Sequence, residues 1–281
     1  MSILMPADGP MKSLTGRAPS TAPADKHERG LRIAIPEPDL ELAQDEEWFV
    51  VQVDGNEWQE VQVQDYAALY TTPGLYERVV YDLFACRSPM TIRTMLEAEL
   101  QRRKVSGEEL SVLDLGAGNG AVGEEVADLG ARHIVGIDIL PQAAVAAWRD
   151  RPGIYSAYFT ADITRLSERE RAALNLFDFN CLTCVAALGF GDIPPRAFAT
   201  AFNLIVPEGI VAFTIKEDFL GRQDRSGFAR LIERATAEGV FEVSMKKRYQ
   251  HRLATNGEPL YYAALIATKH KNIGPNLLSQ G

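Results

Sequence analysis

The feature that most constrains this chain is one short passage, Val112-Leu113-Asp114-Leu115-Gly116-Ala117-Gly118-Asn119-Gly120. Ser111–Leu115 reads as a short apolar strand, the three glycines read as a turn, and Val122–Leu129 reads as a helix stopped by Gly130. Glycine at alternate positions permits the positive φ values of a tight turn and leaves room for a ligand to approach the backbone. The helix that follows offers free N–H groups at its start. In an open parallel sheet, ligands lie outside the carboxyl ends of the strands, where this turn falls.

The rest of the chain keeps the same rhythm. Strands are expected at 133–139, 155–161, 177–185 and 210–215, alternating with helices at 141–149, 197–204 and 228–238. Such βαβα alternation predicts a parallel sheet covered on both faces. Two final strands, 241–251 and 260–268, flank Asn256-Gly257 and predict an antiparallel edge hairpin. The fold class is therefore α/β: a doubly wound, mostly parallel seven-stranded sheet with a C-terminal antiparallel edge hairpin, plus an N-terminal β-hairpin and helical appendage.

The appendage is read from its own signals. Trp48–Val53 and Trp58–Val63 flank Asp54-Gly55-Asn56, a strong hairpin pattern. A tyrosine-rich helical stretch from Asp65 to Phe84 is broken by Pro73-Gly74, and a helix from Pro89 to Arg103 has Ser88 as its expected N-cap. The expected organisation is a disordered tail over 1–30, the hairpin and a helical lid over 31–88, the ligand-binding domain over 89–270, and a C-terminal tail over 271–281.

Charge narrows the partners. The chain of 281 residues carries a formal charge of −9. Ten acidic residues between Pro36 and Tyr70 (Glu37, Asp39, Glu41, Asp45, Glu46, Glu47, Asp54, Glu57, Glu60, Asp65), with no lysine or arginine among them, carry −10. Such a surface repels a phosphate backbone, which argues against nucleic acid as a partner. Its simplest use is as a solvated acidic face. No apolar run approaches the length of a membrane span, and no secretory signal is visible. Three cysteines do not make a disulfide scaffold. These features point to a cytoplasmic protein without membrane partners. An exposed hairpin edge could also pair two copies into a homodimer.

Two ligand classes fit the glycine turn. Gly116-x-Gly118-x-x-Ala121 followed by Asp138 matches a dinucleotide-binding pattern. The same residues also match a second pattern: an acid two before the first glycine (Asp114), G-x-G-x-G (Gly116, Gly118, Gly120), and an acid ending the second strand (Asp138). In this the chain resembles class I, Rossmann-like, S-adenosylmethionine (SAM)-dependent methyltransferases. Asn203-Leu204-Ile205-Val206-Pro207-Glu208-Gly209 resembles that family's L-x-P-G-G turn with Glu208 in place of the first glycine, and the terminal hairpin is a further family feature. The resemblance spans roughly residues 90 to 270.

The resemblance implies S-adenosylmethionine as cofactor. Asp138 would hold the ribose hydroxyls, and Gly116, Ala117 and Gly118, with Asp114, Asn119 and Gly120 beside them, would lie along the methionine moiety. Ile139, Ile163 and Asp162 would face the adenine. The end of the fourth strand, from Cys184, would lie beside the transferring methyl. Many amine and nucleic-acid N-methyltransferases carry N/D-P-P-Y/F there; Cys184-Val185-Ala186-Ala187-Leu188 departs from it and resembles the small-molecule group instead. Asp192, Lys216 and Glu217 are candidates for the acceptor pocket, with Glu217 as the candidate base. Tyr66, Tyr70, Tyr76 and Tyr81 are candidates for a lid, and Arg87 for the methionine carboxylate.

Cys181-x-x-Cys184 sits inside an expected strand, where residues three apart face opposite sides, so neither redox nor metal chemistry is implied. His27, His133, His251 and His270 form no ligand spacing. The expected function is methyl transfer to a small molecule through an O-, N- or C-nucleophile. The rival readings are an NAD-dependent oxidoreductase and a non-catalytic scaffold that keeps the cofactor fold.

Overall fold

The computed structural model describes residues 12–13, 30–36, 42–221 and 223–278 of the chain. Most of the expected N-terminal tail, three of the ten acids (Glu37, Asp39, Glu41) and the last three residues lie outside the described residues. The chain divides into two compact units, one of residues 1–86 with 252–260, the other of 87–251 with 261–281.

The first unit holds a four-stranded sheet in the order β1 (Lys12–Ser13), β2 (Leu31–Ile35), β3 (Trp48–Val53) and β4 (Gln59–Gln62). The expected hairpin is β3 and β4, which pair antiparallel through Asp54-Gly55, both at positive φ. β2 adds to its other edge and in turn pairs with β1, two residues of the segment expected to be a tail. Helix α1 (Tyr66–Thr71) starts on an Asp65 side-chain cap, and a wide helical turn follows over Glu77–Leu83. Phe49, Val51, Leu69, Leu75, Val79 and Phe84 form the core of this unit.

The acidic segment is not wholly solvated. Glu47 is buried, pairs with Arg252 and accepts the Thr255 N–H at 2.6 Å. Arg252 also lies 5.1 Å over the Phe84 ring. A buried carboxylate needs such partners, because its ionised form alone would be very costly to desolvate.

The second unit holds the larger sheet. Its strands are β5 (Ser111–Leu115), β6 (His133–Asp138), β7 (Ala157–Thr160), β8 (Cys181–Leu188), β9 (Ile210–Lys216), β10 (Phe241–Leu253) and β11 (Pro259–Lys269), in the order β10-β11-β9-β8-β5-β6-β7. β5 through β9 pair in parallel, and β11 runs antiparallel to β9. One face is packed by α2 (Ser88–Arg103), α3 (Ala121–Ala127) and α4 (Pro141–Asp150); the other by α5 (Glu168–Leu174), α6 (Pro195–Asn203), α7 (Phe228–Ala237) and the short α8 (Pro275–Leu278). This is the doubly wound, mostly parallel sheet with antiparallel C-terminal strands that the alternation predicts.

Two local expectations shift, and a third holds. β8 begins four residues late, because Asp178 takes a left-handed conformation (φ 46°), and it runs on to Leu188 through an irregularity after Cys184. Ser88 does not cap α2: it is the first helical residue after Arg87, and its hydroxyl is used elsewhere. Glu208 does hold the left-handed position (φ 65°) of the turn before β9. The following Gly209 has no room for a side chain, since a Cβ would come within 2.4 Å of Ile205 and 2.9 Å of two backbone carbonyls.

Candidate functional site

The site is built at the carboxyl ends of β5, β6 and β8. β5 carries Asp114 on one face and Leu115 on the other, then the chain turns through Gly116 (φ 70°), Gly118 (φ 54°) and Gly120 (φ 91°) into α3. All three need the conformational freedom of glycine. Gly116 also needs its small size: a Cβ there would lie 2.8 Å from Ile193 and 3.1 Å from the Ala187 Cβ. The turn is therefore in contact with the segment leaving β8. Gly116 and Ala117 donate to the Ile137 carbonyl, which ties the turn to β6.

Asp138 closes β6. Its Oδ2 accepts the Gly118 N–H at 3.0 Å, and its Oδ1 accepts the Leu140 N–H at 2.9 Å. Burial raises its pKa, against the lowering effect of those N–H groups. Ile139, next in sequence, is 63% exposed, an unusual position for a large apolar side chain. A carboxylate at the mouth of a glycine turn with an exposed apolar side chain beside it can take a diol and a flat ring together.

Asp114 lies beneath the turn. It accepts the Tyr155 hydroxyl at 2.8 Å and the Thr183 hydroxyl at 2.7 Å. Burial pushes its carboxyl up to about 6, with these two bonds opposing. Tyr158 donates to the Gly118 carbonyl at 2.7 Å and packs edge-on against Tyr155. Burial pushes both tyrosine hydroxyls further above their ordinary range. These residues escaped the sequence reading, yet a signal was there. Gly120, Gly123 and Gly136 are each closed to a Cβ by the Tyr155 or Tyr158 ring, so the small residues mark where the two rings lie.

Asn119 donates weakly to Asp150 at 3.4 Å, and its carbonyl accepts from Arg151. Asp162 caps a short turn, taking both the N–H and the hydroxyl of Thr164 on Oδ1, and these bonds lower its pKa. Ile163 and Cys184 are both buried in the apolar layer of the α6 face. Cys181 belongs to the opposite layer, so the two thiols face opposite sides of β8, and burial raises both pKa values. No group of side chains suited to a metal ion occurs among the described residues.

The segment leaving β8 is unusual in its backbone. Ala186 (φ 57°) and Phe190 (φ 48°) are left-handed, with Gly189 and Gly191 also at positive φ. A Cβ on Gly189 would strike the Phe219 ring at 2.1 Å, and Phe190 packs edge-on against that ring. Backbone strain of this kind persists where the surroundings hold it and gathers at functional sites. The Ala186 N–H is held by the Thr214 hydroxyl of β9 at 2.7 Å.

The remaining candidates spread out. Asp192 follows this segment; burial and the charge of Asp138 raise its pKa. Lys216 pairs with Asp218 at 2.8 Å and lies 5.2 Å over Phe190. Glu217 has both oxygens 2.9 Å from Arg248 Nε in a surface ion pair. Arg87 is exposed, with its N–H on the His251 carbonyl. In the first unit, Tyr66, Tyr70, Tyr76 and Tyr81 pack on one another in series, with centroid spacings of 6.1, 5.1 and 5.9 Å.

Residues 113–213 match a protein family described as a methyltransferase domain. No curated protein matches the chain. Among solved structures, magnesium protoporphyrin IX methyltransferase from Synechocystis PCC 6803 with bound SAM is 15% identical, with a TM-score of 0.45, over 64% of this chain and 79% of its own. Ribosomal protein L11 methylase from Lactobacillus delbrueckii subsp. bulgaricus is 19% identical, with a TM-score of 0.42, over 65% and 78%. No helix among the described residues is long and apolar enough to cross a membrane. The matched span opens on β5, takes in the glycine turn and Asp138 and closes within β9, so this part of the chain is similar to a methyltransferase domain.

Proposed function

We propose that this chain is an S-adenosylmethionine-dependent methyltransferase that acts on a small molecule. The observation that carries the reading is the exit of β8. Cys184-Val185-Ala186-Ala187-Leu188 is an apolar run with Ala186 left-handed and Ala187 close against Gly116, and it has no hydrogen-bonding side chain suited to a nucleic-acid base. The net charge of −9 supports it, since a polyanionic acceptor would be repelled.

The cofactor supplies a methyl group already activated by a sulfonium. The chain's task is to align the acceptor about 3 Å from that methyl and to exclude water. In this reading Asp138 takes the two ribose hydroxyls, and Ile139 lies against the adenine. The N–H groups around Gly116, Ala117 and Gly118 receive the methionine end. Asp114 holds the turn from beneath through Tyr155 and Thr183. Asp162 and Ile163 border the adenine side, and Asp192 and Lys216 border the acceptor side.

The test uses purified protein, S-adenosylmethionine labelled on its methyl, and an extract separated into RNA, protein and small-molecule fractions. Label is expected in the small-molecule fraction. Label in RNA or protein instead would overturn the reading. Calorimetric titration with S-adenosylhomocysteine checks the cofactor site independently of any acceptor.

A further inference from the structure

We propose that Tyr158 is a positioning residue: by holding Gly118 it aims the Asp138 carboxylate at a cis-diol, and so sets the preference of the site for a ribonucleoside over a deoxyribonucleoside. This rests on the cofactor reading above, in which Asp138 takes the ribose hydroxyls.

The geometry begins with the register of the sheet. Asp114 of β5 lies beside Gly136 of β6, and Gly136 lies beside Tyr158 of β7, so the three form one row across neighbouring strands. Glycine in the middle lets the row close up. A Cβ on Gly136 would lie 2.8 Å from Tyr158 Cδ2 and 2.9 Å from its Cε2. The Tyr158 ring therefore crosses β6 where no side chain stands, and its hydroxyl reaches past the end of β5 to the Gly118 carbonyl at 2.7 Å. The Tyr155 ring meets it edge-on, with centroids 5.2 Å apart, and is itself fixed by Asp114.

Gly118 is thus held on both sides. Its N–H donates to Asp138 Oδ2 at 3.0 Å, and its carbonyl accepts from Tyr158. These two groups belong to the peptide units before and after its Cα. Together the bonds fix φ and ψ at a residue that, as a glycine at φ 54°, has the most freedom to leave its conformation. On the other oxygen, Asp138 accepts the Leu140 N–H at 2.9 Å. One short N–H bond on each oxygen fixes the plane of the carboxylate and leaves acceptor capacity on both. Two acceptors side by side match two vicinal hydroxyls. Without the Tyr158 bond the Gly118 backbone is free to turn, its N–H leaves Oδ2, and the carboxylate loses the orientation that reads a diol.

The packing does not need the hydroxyl. Phenylalanine would cover Gly136 equally well without desolvating an O–H group. Burial pushes the Tyr158 pKa up, so the hydroxyl stays protonated and serves as a donor. A group held in place before the ligand arrives raises affinity, because the cost of ordering it is removed from binding.

The test is calorimetric titration of S-adenosylhomocysteine and its 2′-deoxy analogue into wild-type and Tyr158→Phe protein, each shown folded by thermal unfolding. Wild type should prefer the ribonucleoside by about 10- to 100-fold, the value of one hydrogen bond to a charged group. Tyr158→Phe should weaken S-adenosylhomocysteine by about tenfold and the 2′-deoxy analogue by less, so that the preference falls by about threefold or more. A merely structural role would weaken both ligands alike; an unchanged preference in the folded variant overturns the proposal. Hydrogen exchange supplies an arm that needs no variant. In free wild type the Gly118 N–H should exchange more slowly than that of the exposed Gly153, and equally fast exchange overturns the clamp. A wild type that binds S-adenosylhomocysteine without preferring it to the 2′-deoxy analogue also overturns the proposal. One that binds neither ligand sinks the cofactor reading itself, and the proposal with it.

Discussion

Removing the Asp138 carboxylate gives the sharpest test of the cofactor site. In the ligand-free protein it accepts two backbone N–H groups, from Gly118 at 3.0 Å and Leu140 at 2.9 Å. Asp138→Ala deletes both, at about 1 kcal/mol each, which lowers the melting temperature by about 5 °C in a unit of this size. In the proposed cofactor site, two ribose hydroxyls would lose a charged acceptor. Hydrogen bonds to charged groups contribute about 1.5–3 kcal/mol each, so the loss is about 3–6 kcal/mol, or roughly 10²–10⁴-fold in Kd. Asp138→Asn should fall between, since one oxygen stays and the charge goes. Burial raises the Asp138 pKa, and the ionised form is the better acceptor, so wild-type affinity should fall as the pH is lowered. The assay is calorimetric titration with S-adenosylhomocysteine, paired with thermal unfolding of the free proteins. An Asp138→Ala protein that is folded and binds within about threefold of wild type would refute the ribose role.

Other expectations concern stability. Burial holds the Asp114 pKa at about 6, against about 3.9 in an unfolded chain, so the folded state takes up its proton first as pH falls. The resulting stabilisation, up to about 3 kcal/mol, is complete below the unfolded value and is lost as pH rises through 6; urea unfolding between pH 4 and 7 should show Asp114→Asn without this slope. Gly209→Ala should cost about 2 kcal/mol or more, because the added Cβ meets backbone oxygens at 2.9 Å, whereas Glu208→Gly should gain up to about 1 kcal/mol by relieving a left-handed residue; equal effects in thermal unfolding would contradict this. Lys269 is buried and donates its ammonium to the carbonyls of Phe202 and Ile205 at the end of α6, so Lys269→Met should destabilise by about 2–3 kcal/mol, and an unchanged unfolding midpoint would show that water replaces those bonds.

What the sequence disclosed followed from local rules. The glycines at 116, 118 and 120 and the acid at 138 lie in one strand–turn–helix–strand passage, so their neighbourhood is set by chain connectivity. β3 and β4 were legible because Asp-Gly forces their pairing. Long-range partners were not legible. Tyr155 and Tyr158 are some forty residues from Asp114 and Gly118, and nothing in the sequence around them distinguishes them from ordinary packing aromatics. Ser88 reads as a cap because serine before proline usually is one; only the approach of β10 shows its hydroxyl otherwise engaged. The start of β8 was misplaced because Phe177 and Phe179 look like strand residues, while the left-handed Asp178 between them has no strong signature. β2 was missed because Leu31–Ile35 is too short to stand out without its partner.

The tip of the C-terminal hairpin, Arg252–Leu260, is counted with residues 1–86 rather than with the strands that carry it. A gene fragment ending at residue 86 would strand Glu47 without Arg252 or Thr255, an orphaned charge worth about 3–5 kcal/mol, more than so small a body can spare. The reverse excision would leave a guanidinium with nothing to neutralise it. Insertion and deletion can therefore remodel the amino-terminal body only in step with a loop two hundred residues downstream, and dissecting this chain calls for a permuted or tethered fragment rather than a single cut.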